Sequence, residues 1–288
     1  MRHLPGKPNV KIFWLLLLLF PLVTCAYDFK FGIVPSEGGG SNIKEKFTPF
    51  MEYLSGQIKH KVLFFPVSDY AGVVTALCNG NIDFAYLGPK SYVEAQKKCN
   101  ISLMAKEVNI QGFSGYTGLI IARSDLPITS IQEGKNHTFA FTGPNSTSGH
   151  LVPSISFLKS NPVIVPQKFF KEVKFSGSHA ASILSIKNKT VDLAATNNVD
   201  LRNLLGSGKI QKSDYKIIWE SDLIPGAVIV SRYKPQDQEF KMLEKTILNL
   251  PSFVTSLLGN RGFVKANDSE YDIIRYLMSV KKRLEYRP

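Results

Sequence analysis

Ser146, Thr147 and Ser148 place three hydroxyls in a row, and Gly149 follows them. A strand-like run, Thr138–Thr142, comes before, and an apolar run with Ile155, Phe157 and Leu158 comes after. The order is strand, small polar loop, helix. The first backbone N–H groups of a helix have no internal partner, and the helix dipole adds partial positive charge at that end. A tetrahedral anion fits there, with hydroxyls donating beside the amides and glycine letting the backbone approach. Ser or Thr ahead of a helix is most often only an N-cap. Three hydroxyls and a glycine at one strand-to-helix corner weigh against that reading alone. The segment is not a P-loop, because His150 follows Gly149 where Lys and Ser/Thr are needed. Hydrogen bonds to a charged group contribute roughly 1.5–3 kcal/mol each, and a micromolar Kd corresponds to about −8 kcal/mol. Several placed donors therefore suffice, and no metal or cofactor is needed.

Tyr70 and His179 are singled out by an internal repeat. The stretch from Ser68 to Ala85 matches the stretch from Gly177 to Ala194 without gaps. Ala71/Ala180, Asn79/Asn188, Asp83/Asp192 and Ala85/Ala194 are identical, and Leu77/Ile186 and Ile82/Val191 are both apolar. Each copy reads as helix, turn, strand, with Tyr70, Val73, Val74 and Leu77 at helical spacing, Ser68 as a cap and Gly80 as a stop. Tyr70 and His179 fall in equivalent first turns and are expected to face one cleft from opposite sides. His179 can donate through a ring N–H and, as the cation, would add charge. Tyr116 precedes a strand run, and either closes the cleft or serves as a core aromatic.

Two similar α/β lobes follow from the repeat, since a spacing of 109 residues is too long for a solenoid. Strand runs at Phe29–Val34, Val62–Val67, Thr117–Ala122, Thr138–Thr142, Tyr215–Trp219 and Ala227–Val230 alternate with helical stripes such as Phe47, Phe50, Met51, Leu54 and Ile58. Such alternation predicts mostly parallel sheets with ligands beyond the carboxyl ends of strands. The expected first lobe is 27–122 plus 227–288, the second is 123–226, and the crossovers fall near Ala122–Ser124 and Pro225–Gly226.

Residues 1–26 read as a signal peptide: Arg2, Lys7 and Lys11, an apolar run from Ile12 to Val23, then small residues ending at Ala26. A lipid anchor on Cys25 is the alternative to cleavage behind Ala26. Without this segment, which holds three basic and no acidic residues, the net charge falls from +12 to +9. A basic surface steers anions inward. Its Lys and Arg are scattered and carry no nucleic-acid motif. Cys78 and Cys99 sit at expected helix ends and are candidates for a disulfide.

The chain resembles the phosphonate/phosphite/phosphate substrate-binding proteins of ABC transporters, the PhnD-like type II periplasmic binding proteins. The resemblance is carried in order by Phe31-Gly-Ile-Val-Pro35, Asp69-Tyr70-Ala71, Gly80 to Pro89, Ser91-Tyr92, Ser146 to Gly149, Gly177-Ser-His179 and Ile224-Pro225. It implies an α/β two-lobed fold with two crossovers and a cleft between the lobes. It implies an exported protein, periplasmic or extracellular, that serves an ABC permease. It also implies that Ser146, Thr147, Ser148 and His179 hold the phosphorus oxygens while Tyr70 and Tyr116 line the cleft. Family members that take aminoalkylphosphonates hold the amine with carboxylates. Here Ala195-Thr-Asn-Asn198 and Pro225-Gly-Ala227 supply none, and the register of the nearby Asp200 is open. That departure favours phosphate, phosphite or a small alkylphosphonate.

Three other readings compete. The same fold serves as a sensor that passes a signal to a membrane partner. A hydrolase built on Ser146 or Ser148 with a histidine lacks a Gly-x-Ser-x-Gly elbow. Iron binding through Tyr70, Tyr116 and His179 lacks accompanying acids.

Overall fold

The computed structural model describes residues 27–35 and 40–285, and the expected signal segment lies outside them. In chain order the first lobe opens with β1 (Phe29–Ile33), α1 (Gly40–Ile58), β2 (Val62–Phe64), α2 (Tyr70–Cys78), β3 (Phe84–Leu87), α3 (Pro89–Lys98) and β4 (Ser102–Asn109). The second lobe holds β5 (Gly115–Arg123), β6 (Thr138–Phe141), α4 (Val152–Lys159), α5 (Pro166–Phe169), β7 (Glu172–Phe175), α6 (His179–Lys187), β8 (Leu193–Asn197), α7 (Asn198–Gly206) and β9 (Tyr215–Pro225). The chain then returns to the first lobe through β10 (Val228–Ser231), α8 (Gln238–Leu248), α9 (Ser252–Leu258), β11 (Asn260–Lys265) and α10 (Asp272–Glu285).

The two sheets have one plan. The first runs β11-β4-β10-β3-β1-β2, and the second, read from its far edge, runs β9-β5-β8-β6-β7. Apart from the added β11 the orders correspond, with β4 matching β9 and β10 matching β5. Each sheet therefore has an inner strand that the chain enters by crossing from the other lobe. This corrects the expected first boundary: Thr117–Ala122 lies in β5 of the second sheet, and the first crossover falls between Asn109 and Gly115. Both sheets are mixed rather than mostly parallel. β1 is parallel to β2 and β3, and β6 to β7 and β8, because helices make those connections. β10 runs antiparallel to β3 and β5 to β8, because each arrives from the opposite lobe.

The repeat extends into the structure. The N-cap of α2 is Asp69, not Ser68, and its carboxylate accepts the Gly72 N–H at 2.7 Å. Ser178 occupies the same position before α6 and accepts from Ala181 N–H at 3.1 Å. Gly80, just past α2, has φ of +74°, a left-handed residue that ends the helix. The shared aspartates tie strands together. Asp83 accepts from Lys30 N–H at 2.7 Å and from Arg232 Nε at 2.9 Å. Asp192 accepts from Thr138 N–H at 2.9 Å and from Arg123 at 3.1 Å. Cys78 and Cys99 are disulfide-bonded and join the C-terminal ends of α2 and α3. The apolar stripe of α1, from Phe47 to Ile58, is buried against β1 and β3 in the first core, where Phe31 stacks on Phe84.

Candidate functional site

The cleft between the sheets collects helix N-termini from both lobes. Tyr70 is the first residue of α2 and His179 the first of α6. Ser146 caps the turn Thr147–Leu151, which leads into α4, and its Oγ accepts the Gly149 N–H at 3.1 Å. Because that oxygen already accepts, its own proton is free to be donated. Gly149 is required by space: a Cβ there would lie 2.1 Å from Thr142 Oγ1 and 2.9 Å from Ser146 Oγ.

His179 binds the hydroxyl cluster together. Nε2 lies 3.3 Å from Ser146 Oγ and 3.5 Å from Ser148 Oγ. Nδ1 lies 3.3 Å from Thr142 Oγ1 and 3.4 Å from Thr196 Oγ1. The ring is 5% exposed, and this burial pushes its pKa down to about 3. Of the two states open to His179, this burial favours the neutral ring. The ring is neutral at physiological pH, with one nitrogen donating and the other accepting. The serine hydroxyls beside it can turn toward an incoming oxyanion without displacing a charge.

Tyr70, from the first lobe, faces this cluster, and Tyr116, near the start of β5, lies beside it in the second lobe. Tyr70 is buried, and its hydroxyl has no hydrogen-bond partner among the described residues. Burial first, then the charge of Asp200, raises its pKa above the normal phenol range. It stays a donor at any physiological pH. Burial does the same for Tyr116, whose hydroxyl neighbours Ser148 and Thr147. Thr147 Oγ1 accepts the backbone N–H of Lys90, in the first turn of α3, at 2.9 Å.

These groups surround a cavity of about 820 Å³, its open mouth included. Tyr70, Tyr116, Ser146, Thr147 and His179 line it, while Ser148 stands behind them against the imidazole. The stretches 195–198 and 225–227 supply no acid, but Asp200, whose register the sequence left open, and Glu107 are also on the wall. Both carry protein partners. Glu107 accepts from Tyr86 at 2.7 Å and from Asn260 at 2.8 Å. Asp200 accepts from Asn197 Nδ2 at 2.6 Å. Asp200 was placed by the first turn of α7, which sequence reasoning left without a register. Glu107 was missed because β4 was not read as a strand. Among the described residues no three His, Cys, Asp or Glu side chains gather as a metal site.

The family model for periplasmic substrate-binding proteins of phosphonate ABC transporters matches residues 31–271. A phosphonates-binding periplasmic protein of Escherichia coli is 34% identical over 206 residues, 70% of this chain. The match spans 60% of that relative's length. A solved binding-protein component of a phosphonate ABC transporter from Pseudomonas aeruginosa is 31% identical, with a TM-score of 0.82, covering 89% of this chain and 87% of that one. PhnD1 of Prochlorococcus marinus, solved with methylphosphonate, is 25% identical with a TM-score of 0.78, covering 88% and 97%.

Proposed function

This chain belongs to the family of periplasmic substrate-binding proteins of phosphonate ABC transporters, and from that premise we propose that it captures a small phosphorus oxyanion for an ABC permease. The family is one of transport proteins, not enzymes. The ligands proposed are phosphate, phosphite or a small alkylphosphonate. The Tyr70 hydroxyl carries this reading: a buried, protonated donor that makes no well-formed hydrogen bond and has the Ser146 hydroxyl as its polar neighbour. Leaving such a donor unpaired costs about 1–3 kcal/mol, and an oxyanion in the cleft relieves that cost. The hydroxyls of Ser146, Thr147 and Ser148, the neutral His179 and the amides of the turn hold the oxygens, while Tyr70 and Tyr116 cover them. The lobes close by rotation about the crossovers at 110–114 and 226–227. The mature protein is periplasmic and begins behind Ala26, and an intact mass distinguishes this from a lipid anchor on Cys25.

A second reading follows from Asp200 and Glu107 on the cavity wall. Their charge favours a ligand with a cationic substituent, an aminoalkylphosphonate. A calorimetric panel of phosphate, phosphite, methylphosphonate and 2-aminoethylphosphonate decides between the two. Tight binding of the first three supports the main reading. Preference for the amine supports the second, and no binding of any would refute both.

A further inference from the structure

Lys90 and Glu94 lie one turn apart on α3, in the first lobe. The Lys90 ammonium is 2.9 Å from Glu94 Oε1, and the two side chains are only 12% and 18% exposed. Each also reaches the second lobe. Lys90 Nζ donates to the Pro144 carbonyl at 2.6 Å. Asn145 Nδ2 donates to Glu94 Oε2 at 2.7 Å. Pro144 and Asn145 directly precede Ser146 and Thr147 in the chain.

An exposed ion pair of this spacing stabilises a helix very little. This one is shielded, and both members make a second bond across the gap between lobes. Those bonds exist only while the lobes are together. They also fix the backbone immediately before the Ser-Thr-Ser turn. The Lys90 amide adds a third tie, to Thr147 Oγ1 at 2.9 Å. With that oxygen accepting from the first lobe, its own proton is left to be donated, and Thr147 lines the cavity.

We propose that Lys90, Glu94 and Asn145 are positioning residues: an interlobe latch that holds the oxyanion turn in its binding geometry and sets how long the ligand stays, without touching the ligand. For its ligand readout the latch rests on the function proposed above. Apparent affinity scales with the fraction of molecules in the competent arrangement. Loss of the latch therefore weakens every ligand by one common factor. Loss of a group that touches the ligand changes different ligands by different factors.

The test is a double-mutant cycle of Glu94→Ala and Asn145→Ala, with Glu94→Gln as the conservative variant. Methylphosphonate and phosphate are the calorimetric probes, and hydrogen exchange of the amides of residues 145–149 is followed in ligand-free protein. Each single alanine variant is expected to weaken both probes by the same factor, about three- to tenfold, through faster release. The double variant is expected to be no worse than Glu94→Ala alone, because Asn145→Ala removes only the bond to Glu94 that this variant already lacks. Glu94→Gln, which keeps an acceptor for Asn145, falls between parent and alanine. Exchange at the turn rises in all variants. Multiplicative singles, unequal factors for the two probes, or affinity and exchange equal to the parent would overturn the latch. If the parent binds neither probe, the proposed function fails while the latch is still decided. Faster exchange at the turn in the variants then supports it, and unchanged exchange refutes it.

Discussion

Tyr70 and His179 occupy the same point of two copies of one structural unit, the first residue of α2 in one lobe and of α6 in the other, and both line one cavity. Among their differences is the side chain that each presents there. One offers a phenol whose hydroxyl has no partner among the described residues, and the other an imidazole wrapped in four hydroxyls. Duplication of the unit thus set two helix starts against each other, and the side chain at each start made the two sides different.

Tyr70→Phe separates affinity from stability. It deletes a donor to a charged ligand, worth roughly 1.5–3 kcal/mol, so binding is expected to weaken about tenfold or more. The ligand-free protein loses a buried polar atom that makes no well-formed hydrogen bond, with only the Ser146 hydroxyl beside it. Its unfolding free energy is expected to hold or rise by roughly 1 kcal/mol. Calorimetry and urea denaturation of the same sample read both signs, and a drop in stability would argue that the phenol has a structural partner.

Gly149→Ala tests the close approach under the turn. The new Cβ meets Thr142 Oγ1 at 2.1 Å and Ser146 Oγ at 2.9 Å, so the turn must shift. Overpacking of this kind costs about 1–3 kcal/mol, and displacement of Ser146 removes binding as well. Gly56→Ala is the control. It lies within α1 with nothing within 4 Å of its Cβ, and is expected to stabilise by about 0.5–1 kcal/mol. Equal midpoints for the two variants in urea would contradict the packing.

The repeat was legible because a capped helix, a turn and a buried strand leave marks at fixed spacing. The sheet to which Thr117–Ala122 belongs was not legible. Its apolar run fits either sheet, and only its pairing with β8 and β9 places it in the second. β7 escaped notice because Glu172–Phe175 is a mostly exposed edge strand of four residues, too short for its alternation to stand out. β4 was hidden by Lys106 and Glu107, charges that face partners rather than solvent alone: Lys106 pairs with Glu270 at 2.7 Å, and Glu107 accepts from Tyr86. The hydroxyl turn and the histidine were visible from residue type. The neutral state of that histidine is a property of burial, which no local pattern encodes.

Replacing Cys78 and Cys99 together by Ser tests whether the bridge serves the fold or the site. The bond closes a loop of sequence separation 21 and stabilises by about 3 kcal/mol on the chain-entropy account. It joins the ends of α2 and α3 remote from the cleft, while their starts carry Tyr70 and the Lys90 amide. The expected result is a lower urea midpoint with affinity within about twofold of the parent. A large loss of affinity in folded protein would show that the bridge aligns the two helix starts.

His179 makes the protein sensitive to acid. Burial pushes its pKa down to about 3 in the folded chain, while the unfolded chain takes up the proton near the ordinary value of 6.5. Between these values the unfolded state binds more protons than the native one, so stability falls as pH is lowered. The contribution is whole above pH 6.5 and declines through the window down to about 3. The slope it adds is at most about 1.4 kcal/mol per pH unit. His179→Gln keeps a donor and an acceptor but cannot titrate. The difference between parent and variant unfolding free energies should therefore narrow steadily from pH 6.5 to 4, since every other group cancels. Above pH 6.5 that difference should be flat, and ligand affinity should follow only the protonation of the ligand itself. A difference that stays constant into the acid range would mean the imidazole is open to water, and with it the dry, neutral cluster behind the Ser-Thr-Ser turn would be lost as an explanation of binding.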